Sequence, residues 1–188
     1  MELVSEAAAF CVRAHDGMRR KKSDAPYILH PLEAGVIVGT MTDDQSVIAA
    51  ALLHDVVEDA GVTMDEIGEK FGPRVRELVA SETENKREDL PPADTWQIRK
   101  SESLEKLRET DDIDVLRLWL GDKLSNIRAI YRDFTVEGDA VWQKFNQTDV
   151  SAQAWYYRSI MKYTERLADT SAYKEYKALV EKIFGLEE

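Results

Sequence analysis

Residues 49–59, Ala-Ala-Ala-Leu-Leu-His-Asp-Val-Val-Glu-Asp, constrain the chain more than any other stretch. Read as a helix, they place His54 one turn from Glu58 and Asp55 one turn from Asp59, so four polar groups form a single stripe. Ala49, Leu53, Val56 and Val57 fall on the other side, where a core must lie. Carboxylates and an imidazole carried into apolar surroundings need a partner of opposite charge, and a divalent cation is an economical one. The alternative is an exposed acidic helix end, but Asp and Glu at a helix C-terminus oppose the helix dipole.

The remaining pattern is helical throughout. Leu3, Val4, Ala7, Phe10, Cys11 and Ala14 recur at helical spacing over residues 2–16. A short apolar helix follows over 32–41, with Pro31 in its first turn and His30 at its entrance. Asp43 or Asp44 caps the central helix, which is predicted to run to Asp59. Thr63-Met64-Asp65-Glu66 has the form of a capping box, and Gly72-Pro73 separates the helix it starts from one over 74–83. Residues 82–100 are charged and contain Pro91 and Pro92, which predicts an exposed loop, with a charged helix over 95–109. Ile113, Leu116, Leu120, Leu124, Ile127 and Ile130 give a core stripe to a long helix over 113–132. Helices over 142–168 and 171–184 complete the chain. No alternating strand of useful length is present, so the predicted class is all-α, a compact helical bundle.

At 188 residues the chain fits one domain, 1–188, with room for a proper core. The formal net charge of −11 argues against a general nucleic-acid or membrane binder, because both need a basic face. No basic n-region with an apolar run opens the sequence, and no segment approaches the ~20 apolar residues that span a bilayer. Cys11 stands alone, so no internal disulfide forms. The expectation is a cytoplasmic protein acting on a small molecule. One local basic run, Arg19-Arg20-Lys21-Lys22, is either a solvated loop or a grip on an anionic substrate.

Of the three histidines, His15 reads as a packed helical residue, while His30 and His54 sit beside other signals. Asp122 and Asn126, one turn apart, continue a line that is apolar one turn earlier at Val115, Leu118 and Trp119. His30, His54, Asp55 and Asp122 could therefore form a site of two imidazoles and two carboxylates. That donor set suits Mn²⁺, Fe²⁺ or Zn²⁺, and the lack of thiolates argues against structural zinc. Such a cation lowers the pKa of water and orients a phosphoryl oxygen. Glu58 can accept a proton from that water, and Asp59 can do the same or hold Glu58 and the water in place. Arg87, Arg99 and Lys100 read as surface charges, or as a basic loop able to close over an anion.

These residues resemble the ligand pattern of the HD-domain metal-dependent phosphohydrolases, and in particular the hydrolase domain of the RelA/SpoT alarmone enzymes. Pro-Tyr-Ile-Leu-His-Pro at 26–31, Leu-Leu-His-Asp-Val-Val-Glu-Asp at 52–59, Phe-Gly-Pro-Arg-Val at 71–75 and Gly-Asp-Lys-Leu-Ser-Asn at 121–126 are each similar to a motif of that group, in the same order. The likeness covers about residues 7–132. It implies an HD-type helical bundle and Mn²⁺ held by His30, His54, Asp55 and Asp122. It also implies Glu58 and Asp59 as catalytic residues, with Arg20, Lys21 and Asn126 contacting the nucleotide. The implied reaction removes the 3′-diphosphate of guanosine tetra- or pentaphosphate, giving GDP or GTP and pyrophosphate. The length implies a stand-alone small alarmone hydrolase. Departures fall at Trp119, where the family usually has Lys, and in the basic run, which is one residue longer than the common form. The alternatives are an HD phosphohydrolase for an adenosine alarmone, NADPH or an ordinary nucleotide, and a catalytically silent alarmone sensor.

Overall fold

The computed structural model describes residues 2–20, 24–87 and 89–186. Among these residues no strand forms, and a single β-bridge joins Arg19 to Pro26. The fold is all-α, in agreement with the sequence pattern. In chain order the helices are α1 (Leu3–Ala14), α2 (Leu29–Gly39), α3 (Gln45–Leu53), α4 (Val56–Asp59), α5 (Met64–Phe71), α6 (Pro73–Glu82), α7 (Pro92–Glu109), α8 (Ile113–Glu137), α9 (Val150–Tyr163) and α10 (Ser171–Phe184). Short 3₁₀ segments cover Gly138–Lys144 and Glu165–Leu167. None of the helices is long and apolar enough to cross a membrane.

α3 is the hub. Val47, Ala49, Ala50, Ala51, Leu52 and Leu53 are all buried, so the helix is apolar on every side and α1, α2, α6 and α8 pack around it. Its start is fixed by Asp44, whose side chain accepts from the Ser46 amide. Thr63 caps α5 in the same way through the Glu66 amide. α2 is pinched between α3 and α8 by two glycines. A Cβ on Gly121 would lie 2.5 Å from Val38 Cγ2 and 3.2 Å from the Ala34 carbonyl oxygen. A Cβ on Gly35 would lie 2.6 Å from Leu52 Cδ2. The absence of side chains at these two points lets three helix backbones approach closely, which offsets the helix-propensity cost of glycine, about 1 kcal/mol each.

Four boundaries differ from the sequence reading. The central helix is not continuous to Asp59: it breaks at His54 and Asp55 and resumes as the four-residue α4. His54 Nδ1 lies 2.7 Å from the Ala51 carbonyl, the acceptor that an unbroken helix would give to the Asp55 amide. α2 begins two residues before Pro31, so His30 lies inside its first turn. Within the charged stretch 82–100 the loop between α6 and α7 is exposed at residues 89–91, but the stretch is not exposed throughout. Glu82 is buried at the end of α6, and α7 starts at Pro92, a favoured N1 residue, with Thr95 and Trp96 buried. Residues 142–168 do not form one helix: Val141 and Trp142 are buried in a 3₁₀ turn before α9.

Gly121→Val places a branched side chain against the stiff, fully buried Val38. It is expected to cost about 1–3 kcal/mol through overpacking, read as a lower midpoint in urea unfolding. An unchanged midpoint would mean that α2 and α8 part freely at this crossing.

Candidate functional site

Three helices bring the candidate ligands together. His30 comes from the first turn of α2, His54 and Asp55 from the break after α3, and Asp122 from the turn of α8 next to the glycine crossing. Ligand atoms of His30, His54 and Asp122 all lie within 4.8 Å of one another, and all three residues are buried. His30 Nε2 is 3.0 Å from Asp122 Oδ1 and 3.3 Å from His54 Nε2. Asp55 Oδ2 completes the group at 2.9 Å from His54 Nε2 and 3.4 Å from His30 Nε2. The break in the helix is what allows this. On a continuous helix adjacent residues diverge by about 100°, whereas here His54 and Asp55 face the same point.

The donor chemistry at that point is one-sided. His54 Nδ1 has the Ala51 carbonyl as partner, which can only accept, so Nδ1 carries the proton and Nε2 presents its lone pair inward. His30 Nδ1 lies 2.8 Å from Ser125 Oγ, again leaving Nε2 to face the cluster. Two imidazole lone pairs and two carboxylates therefore converge in a buried space. Without a cation they must take up protons. Burial alone would lower the His54 pKa, but the Asp55 and Asp122 carboxylates more than offset it and raise it well above the usual value. Burial likewise pushes Asp55 upward, and His54 and His30 pull it well below the usual carboxylate range. The donor set fits a borderline divalent cation with mixed nitrogen and oxygen ligands.

Glu58 and Asp59 stand beside this cluster on α4. Tyr27 donates to Asp55 Oδ2 at 2.6 Å and lies 3.0 Å from Asp59 Oδ2, so one phenol bridges a candidate ligand and a candidate catalytic carboxylate. Its pKa is raised by burial and by both carboxylates, which keeps the hydroxyl a donor. Glu58 Oε1 accepts from the Glu84 amide at 2.7 Å. Lys86 donates to the Glu58 carbonyl at 2.9 Å and to Asp59 Oδ1 at 2.6 Å. Burial raises the Glu58 pKa despite these contacts.

A cavity of about 580 Å³ opens over the cluster, lined among others by Arg20, Tyr27, Lys86, Lys100, Asn126 and Tyr157. Two backbone bonds tie Arg20 to the segment before α2, the Arg20 amide donating to the Ala25 carbonyl and the Tyr27 amide to the Met18 carbonyl. Its guanidinium donates to Asn126 Oδ1 at 3.2 Å. Asn126 in turn donates to Asp122 Oδ1 at 2.5 Å, so the candidate substrate contacts are tied to a candidate ligand. Lys21 lies outside the described residues. Lys123 pairs with Asp122 Oδ2, sits 4.9 Å over the Trp119 ring, and lies 3.2 Å from Glu82 Oε1 without hydrogen-bond alignment. Burial pushes the Glu82 carboxyl up to about 8.

Several of these residues escaped the sequence reading. Arg99 and Lys100 are not surface charges: both pair with Glu84, at 2.8 and 2.6 Å, inside the cavity wall. Arg87 pairs with Glu102 on the outer side. Tyr27 lies in a quoted motif, one turn before His30, and that spacing is the available signal. Lys86 had none, since only the fold brings it to α4. His15 is packed, its Nδ1 3.1 Å from the Cys11 carbonyl, and it joins no cluster with the ligands.

Residues 7–149 match the HD domain family, and the chain belongs to it. It is 37% identical over 130 residues to the GTP pyrophosphokinase rsh of Brucella ovis, covering 68% of this chain and 17% of that protein. It is 30% identical over 132 residues to the GTP pyrophosphokinase of Myxococcus xanthus, with 69% and 17% covered. The chain thus spans under a fifth of the length of the curated relatives it matches. Among solved structures it is similar to lmo0812 from Listeria monocytogenes (TM-score 0.72, 33% identity, 84% of this chain and 99% of that one). It is also similar to a metazoan ortholog of SpoT that hydrolyzes ppGpp (TM-score 0.73, 25% identity, 99% and 98% covered). The matched family region, residues 7–149, contains all four candidate ligands.

His54→Ala is expected to abolish retention of Mn²⁺ or Zn²⁺ after gel filtration, measured as metal content per chain. His15→Ala, which removes a packed imidazole outside the cluster, should keep it. Equal metal content in His54→Ala and the parent would remove His54 from the ligand set.

Proposed function

We propose that the chain, acting as one cytoplasmic domain, is a divalent-metal phosphohydrolase. Its substrates are guanosine tetra- and pentaphosphate, from which it removes the 3′-diphosphate. The observation that carries this reading is the convergence of four acceptor groups, three of them buried, beside two carboxylates on the floor of a cavity lined by both basic and acidic side chains. Likeness over nearly the full length to a protein that hydrolyzes ppGpp supports the choice of substrate.

In this reading His30, His54, Asp55 and Asp122 hold the cation, for which Mn²⁺ is the choice. A cation there supplies Lewis acidity that favours deprotonation of water and screens diphosphate charge. Glu58 takes the proton of the attacking water, a role suited by a carboxyl whose burial has raised its proton affinity toward the working pH. Asp59, held between Tyr27 and Lys86, keeps Glu58 and the water in register. The water oxygen bonds to the phosphorus attached at the ribose 3′-oxygen. The bond from that phosphorus to the 3′-oxygen breaks, pyrophosphate is released, and the 3′-oxygen takes a proton from solvent to become the hydroxyl of GDP or GTP. Arg20, Lys21 and Asn126 contact the nucleotide, with Arg20 and Asn126 pre-positioned by their mutual hydrogen bond.

The direct test is pyrophosphate release from ppGpp by purified protein with Mn²⁺, against a chelated control, with pppApp, NADPH and GTP in parallel. Metal-dependent formation of GDP and pyrophosphate supports the proposal. Turnover of another nucleotide alone would discard the substrate, and bound ppGpp without turnover would make the chain a sensor. Glu58→Ala should retain the metal and lower kcat by about 10²-fold or more. Because the Glu58 pKa is raised, activity should fall with decreasing pH before the ordinary carboxylate range is reached. A fully active Glu58→Ala would end its role as base.

A further inference from the structure

The two imidazoles of the cluster are oriented by different means. His54 leans on a backbone carbonyl of its own helix, which no substitution removes. His30 leans on a chain of side chains. His30 Nδ1 lies 2.8 Å from Ser125 Oγ, and Ser125 donates to Glu33 Oε2 at 2.8 Å. Glu33 Oε1 accepts from Arg128 at 3.1 Å, and Arg128 makes a bidentate pair with Glu175 at 2.7 and 2.6 Å. The chain joins α2, α8 and α10, and its inner hydroxyl is fully buried.

The direction of each bond follows from the chemistry of the groups. A carboxylate paired to a guanidinium only accepts, so the single hydroxyl hydrogen of Ser125 points to Glu33. Ser125 Oγ can then only accept from His30, which places the imidazole proton on Nδ1 and the lone pair on Nε2. We propose that Ser125 and Glu33 are positioning residues. They hold His30 in its metal-ligating tautomer and ring orientation, and the Arg128–Glu175 pair anchors that relay to the last helix. This rests on the metal reading of the site but not on its substrate. The spacing supports a built device: His30 and Glu33 are one turn apart on α2, Ser125 and Arg128 one turn apart on α8, and the two pairs face each other next to the glycine crossing.

The test is Mn²⁺ affinity of metal-stripped protein, followed by the loss of the free-ion electron paramagnetic resonance signal, with no nucleotide present. Ser125→Ala is expected to weaken binding by about 10–100-fold, the usual effect of removing such a partner. Glu33→Ala should act in the same direction. In the Zn²⁺-loaded parent, proton NMR should show two slowly exchanging imidazole Nδ1–H signals. Ser125→Ala should lose only that of His30, while the His54 proton on the Ala51 carbonyl persists, a selective loss that general destabilisation would not produce. Binding within twofold of the parent in both variants, or persistence of both protons in Ser125→Ala, overturns the proposal. A parent that binds no divalent metal overturns it together with the metal reading. A parent that binds metal but leaves ppGpp intact, with Ser125→Ala still weakened, sinks only the substrate and leaves this inference standing.

Discussion

Two imidazole lone pairs and two carboxylates pointed at one another in a buried space are the condition on which the rest of the structure depends. Acceptors brought within 4 Å of one another are stable away from water only when a cation joins them or protons are taken up between them. The bundle meets that condition by drawing the four groups from three helices and locking the orientation of each. Ala51 fixes His54, Ser125 fixes His30, Tyr27 fixes Asp55, and Lys123 and Asn126 fix Asp122. The glycines at 35 and 121 belong to the same design, because only close backbones let His30 and Asp122 meet.

Electrostatics around the site differ in kind from those of the chain as a whole. The protein is strongly acidic, yet the cavity wall carries Arg20, Lys86, Arg99, Lys100 and Lys123. Each is held by a carboxylate or amide acceptor at the site, so the positive groups are preorganised rather than drawn in from solvent. The chain is strongly negative, while among the described residues the seven basic and eight acidic side chains that line the cavity nearly balance, and screening confines each field to about a Debye length. A chain this acidic discourages polyanions, which need a continuous basic face.

Much of the architecture was readable from local pattern. Helical spacing located the helices, the caps at Asp44 and Thr63 fall where capping chemistry places them, and Gly121 marked a close approach. The break at His54 was not readable, because no proline or glycine signals it: the helix yields to a side chain that competes for the Ala51 carbonyl. The charged stretch after Glu82 was misleading for a related reason. Charge and proline indicate exposure, and Pro91 and Pro92 are exposed, but Glu84, Arg99 and Lys100 neutralise one another inside the wall of the cavity.

Local pattern was enough to define the helical class and the small set of His, Asp and Glu residues able to carry the chemistry. Both follow from local properties: the periodicity of apolar residues and the scarcity of imidazole. Helix packing is what turns His54 and Asp55 to the same point, clamps Asp59 between Tyr27 and Lys86, and carries a relay from α10 to His30. These are contacts between residues up to 95 positions apart. Their existence depends on helix crossings set by packing, which no single segment encodes.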